Sequence, residues 1–310
     1  MYLLKLLVSL LSLLNPVLSD YDENIKFIKD HNSKKLSYEV GINQFINTSY
    51  TNGTTNGPSH YIHSDHTEIN ILSDKKLPEE IDWRSQGIVS SVKNQLECGS
   101  CWAFSAVGAI EGEWSLKHHQ LYNLSEQELV DCSGYLGNNG CDGGSMDNAF
   151  QYVVQNGLCL NVSYPYNATD GQCQNQTCTK QVHIDKYYDV PHNNERQLEK
   201  AVSRQPVSVA IQANQQSFQL YKQGIYNDPD CGDQLDHGVL VVGYGHDKKY
   251  KMKYWIIKNS WGTSWGENGY MRMAKDINVS EGLCGIAMDP SYPVIKKEKK
   301  IWRNKLKVNN

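Results

Sequence analysis

Hydrophobic positions change their spacing several times along the chain. An apolar run, "MYLLKLLVSLLSLLNPVLS", opens it. From Asp20 to Lys76 apolar residues are sparse and follow no period, in a stretch rich in Asn, Ser, Thr and His that includes "NTSYTNGTTNGPS". Such a pattern predicts a separate, weakly folded segment. At "LPEEIDWRSQG" the chain becomes denser and more aromatic. After Cys101, the residues Phe104, Val107, Ile110 and Trp114 recur at helical spacing, which predicts an amphipathic helix with Cys101 in or near its first turn. Ser125 and Glu128 in "LSEQELV" form a capping box, and "SMDNAFQYVVQNG" reads as a helix closed by Gly157. A last short helix is expected from Glu195 to Ser203, and Pro206 stops it. Alternation then begins with Val207, Val209 and Ile211, and strand-like runs follow at Gly238 to Gly243, Tyr254 to Lys258 and Gly269 to Met273. Helices first and strands later predict an α+β protein of two packed halves, residues 77–190 mainly helical and 191–295 β-rich. A single undivided α+β domain fits the same periodicity.

Length and charge narrow the partners. With 310 residues, 39% hydrophobic, and a formal net charge of −4, the chain can bury one large or two medium cores and offers nucleic acid no overall basic surface. Residues 1–19, with one lysine, a leucine run and small residues at Val17 and Ser19, have the layout of a cleavable secretory signal. The run from Leu6 to Leu14 is too short to span a bilayer and Asn15-Pro16 interrupts it, so stable membrane insertion is not expected. In the secretory route disulfides persist, which changes how nine cysteines are read. An odd number leaves at least one thiol over, either for an intermolecular link or for reactivity. Seven Asn-x-Ser/Thr sequons, at Asn47, Asn52, Asn123, Asn161, Asn167, Asn175 and Asn278, agree with a glycosylated product. Within "NQLECGSCWAFSAVG" the pair Cys98 and Cys101 could be half a zinc site, a redox couple, or two cysteines with unrelated tasks.

Three stretches concentrate the groups that acyl transfer needs: a thiol at a helix start in "QLECGSCW", His237 heading an apolar strand in "LDHGVLVVGYG", and Asn259 after another in "IIKNSWGTSWGENGY". A cysteine nucleophile requires a base beside it and a third group to orient that base, and a helix dipole with an adjacent imidazolium favours the thiolate. These stretches, with "LPEEIDWR", "CGSCWAFSAVGAIEGE", "LSEQELVDCS", "GCDGGSMDNAF", "QPVSVAIQA", "KNSWGTSWGENGYMRM" and "CGIAMDPSYPV", resemble the papain-like cysteine proteases over the whole region that follows the polar segment. The resemblance implies a papain-like fold, a helical left domain and a β-barrel-like right domain with the active-site cleft between them, and cysteine endopeptidase activity without metal or cofactor. Carried over by position, it implies Cys101 as nucleophile, His237 as acid/base partner, Asn259 as the residue orienting the imidazole, and Gln95 with the Cys101 N–H as oxyanion donors. Trp261 would shield the His–Asn hydrogen bond from water. Gly143, Gly144 and Asp236 would line the substrate groove, where an extended peptide adds by β-augmentation. Leu96 stands where the family usually has glycine. The family framework also implies bridges Cys98–Cys141, Cys132–Cys173 and Cys231–Cys284. Cys159 and Cys178 are then either bridged or free; the bridge is favoured because exposed thiols are costly in an oxidising compartment.

Family precursors are held inactive by a prosegment, here residues 20–76. Asn24, Ile28 and Asn32 match the later half of its helical motif and "GINQF" the start of a second motif, which ends in Asn47 where the family has aspartate. The earlier half of the helical motif is missing, so weak folding and weak inhibition are expected. His60, His63 and His66 read as a solvated loop, His118 and His119 as surface, and the basic stretch 296–310 as a solvated or trimmed tail. The pocket for the second substrate residue before the cleaved bond would be walled by Met146, Ala210, Leu235 and Gly238, with Asp289 at its base. Asp289 would either accept arginine beside bulky apolar side chains or turn to solvent ahead of Pro290. The expected partners are protein and peptide substrates and the chain's own prosegment, acting on a monomer in the lysosome, vacuole or extracellular space. The rival from another class is a catalytically silent, papain-like binding protein, which the presence of Gln95, Cys101, His237 and Asn259 argues against. A thiol-disulfide oxidoreductase would leave His237 and Asn259 without a role.

Overall fold

In chain order the elements are α1 (residues 20–33), β1 (Tyr38–Val40), β2 (Ile81–Asp82), α2 (Cys101–His118), α3 (Glu126–Cys132), α4 (Met146–Asn156), β3 (Leu158–Cys159), β4 (Gln181–Val182), β5 (Lys186–Asp189), α5 (Glu195–Val202), β6 (Val207–Ile211), α6 (Gln216–Gln219), β7 (Tyr221–Tyr226), β8 (His237–Asp247), β9 (Met252–Lys258), β10 (Tyr270–Ala274) and β11 (Ser291–Val294). The structure, a computed structural model, describes residues 20–52, 54, 59–63, 69–73, 76–178 and 181–296. The expected secretory signal, His66 and the basic tail from residue 297 onward lie outside them.

Local chemistry sets the helix starts. The Ser125 hydroxyl accepts the Glu128 N–H at 3.0 Å, Ser145 accepts that of Asp147 at 3.1 Å, and Asn194 accepts that of Gln197 at 3.0 Å. The capping box at Ser125 is only half formed. Glu128 turns away from the cap and accepts instead from the Cys159 N–H at 2.6 Å and the Tyr152 hydroxyl at 3.0 Å, because burial gives its carboxylate better donors than an already satisfied turn. Gly157 ends α4 with φ of +74°.

Helix α2 departs from its expected amphipathic character, since fourteen of its residues are buried, Glu111 and Glu113 included. It lies against α3 and α4 on one side and β6, β8 and β11 on the other, and a helix enclosed all round needs no polar face. Its buried acids are paired: Lys93 reaches Glu111 at 3.1 Å, and Lys117 reaches Glu113 at 3.1 Å.

The strands form a nine-stranded sheet ordered β1-β7-β10-β9-β8-β6-β11-β5, with β2 paired to β8; β3 and β4 pair separately. The sheet is an open path with no pairing between its end strands β1 and β5, so the barrel-like half is an unclosed sheet. Antiparallel β6, β8 and β9 run in continuous register from Val207↔Val241 to Ile211↔His237, and from Leu240↔Lys258 to Asp247↔Met252 with one shift between Val241 and Gly243. Two buried clusters make the core. One holds Phe218, Tyr226, Trp255 and Trp265; the other holds Trp102, Ile110, Phe150 and Val153, together with Leu240 and Val242 from β8. Disulfides join Cys98 to Cys141, Cys132 to Cys173, Cys159 to Cys178 and Cys231 to Cys284, and Cys101 is the free cysteine.

The polar segment, expected to be separate and weakly folded, is folded onto the β-rich half. Strand β1 pairs with β7, Asn24 donates to the carbonyls of Ile46 and Thr48, and Asn32 both donates to the Val40 carbonyl at 2.9 Å and accepts the Val40 N–H at 3.0 Å. Its hydrogen-bond partners lie mostly on other elements, so no internal periodicity announces it.

Candidate active site

Cys101 opens α2 and is fully buried. The N–H groups of Gly238 and Trp102 face its sulfur and favour the thiolate, yet burial outweighs them and pushes the thiol up to about 12. The thiol donates to the carbonyl of His60 at 3.8 Å. His237 begins β8, and Gly238 beside it has to be small: a Cβ there would lie 3.2 Å from Cα of Trp102. That close approach brings the head of β8 against the first turn of α2.

The His237 ring is held on its far side. Its Nε2 meets Oδ1 of Asn259 at 2.9 Å, and the Ser260 N–H donates to the same Oδ1 at 2.7 Å. An atom that accepts a backbone N–H is the amide oxygen, so Nε2 carries the proton and Nδ1 is the basic nitrogen. Burial pulls the imidazole down to about 4, the Asn259 bond opposing this and the neighbouring His60 adding to it. Trp261 stacks on His237 with centroids 4.6 Å apart, and Phe45 and Phe218 pack edge-on against Trp261.

Gln95 is fixed by Ser260 from the opposite half. Ser260 donates its hydroxyl to Oε1 at 2.6 Å, the Gln95 N–H reaches the Ser260 carbonyl at 2.8 Å, and Nε2 donates to the Cys98 carbonyl at 2.9 Å. Leu96, in the family's glycine position, takes a left-handed φ of 55° and remains exposed, its N–H bonded to Asn94 Oδ1 at 3.0 Å. The loop thus keeps a glycine-like shape at a backbone cost of roughly 1–2 kcal/mol.

Residues 60–62 occupy the groove. The Gly144 N–H donates to the His60 carbonyl at 3.1 Å, the Ile62 N–H to the Gly144 carbonyl at 2.9 Å, and the His60 N–H to the Asp236 carbonyl at 3.1 Å. Gly143, at φ of +119°, has to lack a side chain, since a Cβ would sit 3.0 Å from the His60 oxygen. The ring of Tyr61 is buried in the cluster that holds Met146 and Ala210, with Leu235 packed against it. Its hydroxyl donates to Oδ2 of Asp289, which the His63 Nδ1 also meets at 2.8 Å. Asp289 is 8% exposed, so the alternative in which it turns to solvent does not occur. His60 does not lie in a solvated loop, whereas His63 stays exposed, its side chain 62% accessible. His60 is half-buried against Gly99 and Gly143, and His63 is tied to Asp289. A cleft of about 750 Å³ stays open beside them, lined by Gln95, Leu96, Asp236, His237, Trp261 and Phe45.

The profile described as "Papain family cysteine protease" matches residues 77–294. The chain belongs to the papain family of cysteine proteases. The "Probable cysteine protease RD21B" of Arabidopsis thaliana is 45% identical over 282 residues, 89% of this chain and 60% of that protein, so the chain spans 60% of its relative's length. The ragweed pollen allergen Amb a 11, a cysteine protease solved in its proform, superposes with TM-score 0.81 at 36% identity, covering 92% of this chain and 90% of that one. Bromelain protease of Ananas comosus, solved in complex with the E64 inhibitor, matches at TM-score 0.68 and 46% identity over 71% of this chain and all of that one.

Several residues at the site escaped the sequence reading. Ser260 binds both Gln95 and Asn259; its only signal is adjacency to Asn259. Tyr166 donates to the Gln95 carbonyl at 2.8 Å and meets Ser100 Oγ at 2.7 Å, with no motif to mark it. Behind Asn259 lies a buried charge cluster, in which Lys258 donates to Ser90 at 2.9 Å, Ser90 to Glu111, and Lys93 to Glu111 and Glu126. Burial lowers Lys258 to about 8.

Proposed function

We propose that the protein is a cysteine endopeptidase, with Cys101 as nucleophile, His237 as its acid/base partner, Asn259 as the orienting residue, and Gln95 with the Cys101 N–H as the oxyanion donors. The observation that carries this reading is the Nε2–Oδ1 bond of His237 to Asn259, because it leaves Nδ1 as the base at the head of β8, beside the first turn of α2 where Cys101 stands. Nδ1 takes the thiol proton, and the thiolate attacks the substrate carbonyl carbon. The oxyanion of the tetrahedral intermediate receives two N–H bonds. Protonated Nδ1 then gives its proton to the leaving amine, and an acyl-enzyme remains for water to hydrolyse with His237 as base. Stacking on Trp261 favours the imidazolium of the working pair.

Residues 20–76 act as an inhibitory prosegment on this reading. The His60 carbonyl accepts from the thiol and from Gly144, not from Gln95, so the occupying chain is held without an oxyanion contact. Water exclusion also keeps the thiol and imidazole neutral, which withholds the thiolate. The unit released is then residues 77–295, with halves 77–190 and 191–295 flanking the cleft. Asp289 extends the pocket of Met146, Ala210, Leu235 and Gly238 from bulky apolar to basic side chains at the second position before the scissile bond. Residues 1–19 direct the chain to the secretory route and onward to lysosome, vacuole or outside the cell. No helix among the described residues is long and apolar enough to cross a membrane.

A thiol-directed epoxide tests the assignment. It should label Cys101 alone in the processed enzyme and abolish peptide hydrolysis, while Cys101→Ala and His237→Ala each remove activity with the thermal unfolding midpoint retained. Labelling at another cysteine with Cys101 untouched would sink it.

A further inference from the structure

We propose that Tyr166 is a positioning residue for catalysis: its hydroxyl ties the Gln95 carbonyl to the Ser100 side chain and so fixes the two oxyanion donors, Nε2 of Gln95 and the N–H of Cys101, relative to each other. The proposal rests on the peptidase reading above and adds a residue to its machinery. A phenol has one proton. The Gln95 carbonyl can only accept, at 2.8 Å, so that proton goes there, and the Ser100 hydroxyl must donate to the phenolic oxygen at 2.7 Å. Ser100 stands at the N-cap of α2, yet its hydroxyl caps no N–H of the helix and goes to Tyr166 instead. The peptide that follows carries the Cys101 N–H. Burial lifts the Tyr166 hydroxyl to about 12, so it keeps its proton at neutral pH.

Tyr166 is itself held from outside the loop it braces. On one side of it the Tyr164 carbonyl accepts the Ser125 hydroxyl at 2.6 Å, and on the other the Asn167 N–H donates to Oε1 of Gln127 at 2.9 Å. The first turn of α3 thus fixes the segment that presents the ring, which stands edge-on to Phe104 with centroids 4.9 Å apart. The peptide between Gln95 and Leu96 is then clamped at both ends, its carbonyl by Tyr166 and its N–H by Oδ1 of Asn94 at 3.0 Å. That clamp matters in this chain because Leu96 has a φ of 55°, a left-handed conformation that a side chain disfavours. Turning the peptide over would relieve Leu96. It would also break the 3.4 Å bond from the Cys98 N–H to the same carbonyl, and with it the turn whose Cys98 carbonyl holds Nε2 at 2.9 Å.

Wild type, Tyr166→Phe, Leu96→Gly and the double variant, each produced as the full chain and processed, are compared in three ways: turnover of a dipeptide reporter, binding of a peptide aldehyde, and alkylation of Cys101 by iodoacetamide. The aldehyde carbonyl carbon bonds to the sulfur and its oxygen, as in the tetrahedral intermediate, occupies the oxyanion site; alkylation displaces iodide from a saturated carbon and develops no oxyanion. Tyr166→Phe should lower kcat and weaken aldehyde binding by about tenfold each, the equivalent of one hydrogen bond, with KM and the alkylation rate little changed. In the Leu96→Gly background, where the left-handed backbone carries no penalty, the same substitution should cost less than about threefold. Parallel losses in alkylation and aldehyde binding, equal losses in both backgrounds, or full turnover by Tyr166→Phe overturn the proposal and leave the peptidase reading standing. Wild type that is alkylated at Cys101 but cleaves no reporter and binds no aldehyde overturns both.

Discussion

Gln95 shows how much at a single position depends on its neighbours. Its amide is anchored through Oε1 by Ser260, so Nε2 is aimed by a hydrogen bond that side-chain rotation alone would not hold. Gln95→Ala should lower kcat by roughly 10²-fold with a much smaller change in KM, measured with a dipeptide reporter; an unchanged kcat would place the oxyanion donor elsewhere. Glu128 carries a second residue-scale expectation. Burial raises its carboxyl to about 7, against the bonds from Cys159 and Tyr152 that favour the charged form. An acid whose folded value is raised stabilises the fold below its unfolded value near 4.5 and loses that contribution as pH climbs through about 7. Wild type should therefore lose on the order of 1–3 kcal/mol between pH 5 and pH 8 through this group. Thermal melts of wild type and Glu128→Gln at both pH values check the sign, the variant showing the smaller difference.

Among elements, the starts of α3, α4 and α5 were legible, because a cap is written within three residues of the turn it serves. Strand β8 was legible in part, its apolar run marking Gly238 to Gly243 inside the longer His237–Asp247. Strands β1, β5, β7 and β11 were not, since none carries an alternation long enough to stand out, and β1 pairs only with β7, far along the chain. The same distance hid the folding of α1 and β1. Asn32, whose amide satisfies both the N–H and the carbonyl of Val40, ties α1 to β1 and so holds β1 on β7. If residues 20–76 inhibit as proposed, Asn32→Ala should cost the docking of α1 and β1 about 1–3 kcal/mol and speed epoxide labelling of Cys101 in the full chain, without altering the labelling rate of residues 77–295 alone. An identical rate in the full chain would separate α1 from inhibition.

At the scale of the whole molecule, the two halves are joined beneath the site by charge as well as by apolar contact. Glu111 on α2 faces Lys93 and, through Ser90, Lys258 at the end of β9, one residue before Asn259. Removing the acid takes from buried Lys258 the carboxylate it faces through Ser90, while Lys93 keeps Glu126, so Glu111→Ala should destabilise the protein by about 3–5 kcal/mol in urea unfolding, and a loss below 1 kcal/mol would show that the cluster is solvated. The sequence by itself determined which groups could do chemistry, where three helices begin, and that at least one thiol of nine is left over, since each of these depends on residue type, parity or spacing within a few positions. Only the tertiary structure decided that α2 is enclosed, that Glu128 abandons its cap for Cys159 and Tyr152, that Ser260 locks Gln95 and Asn259 together, and that Asp289 faces Tyr61 across 228 residues of chain. Those contacts follow from how segments far apart in the chain close on one another, and the cost and reward of such closure are shared over many residues rather than recorded in any local pattern.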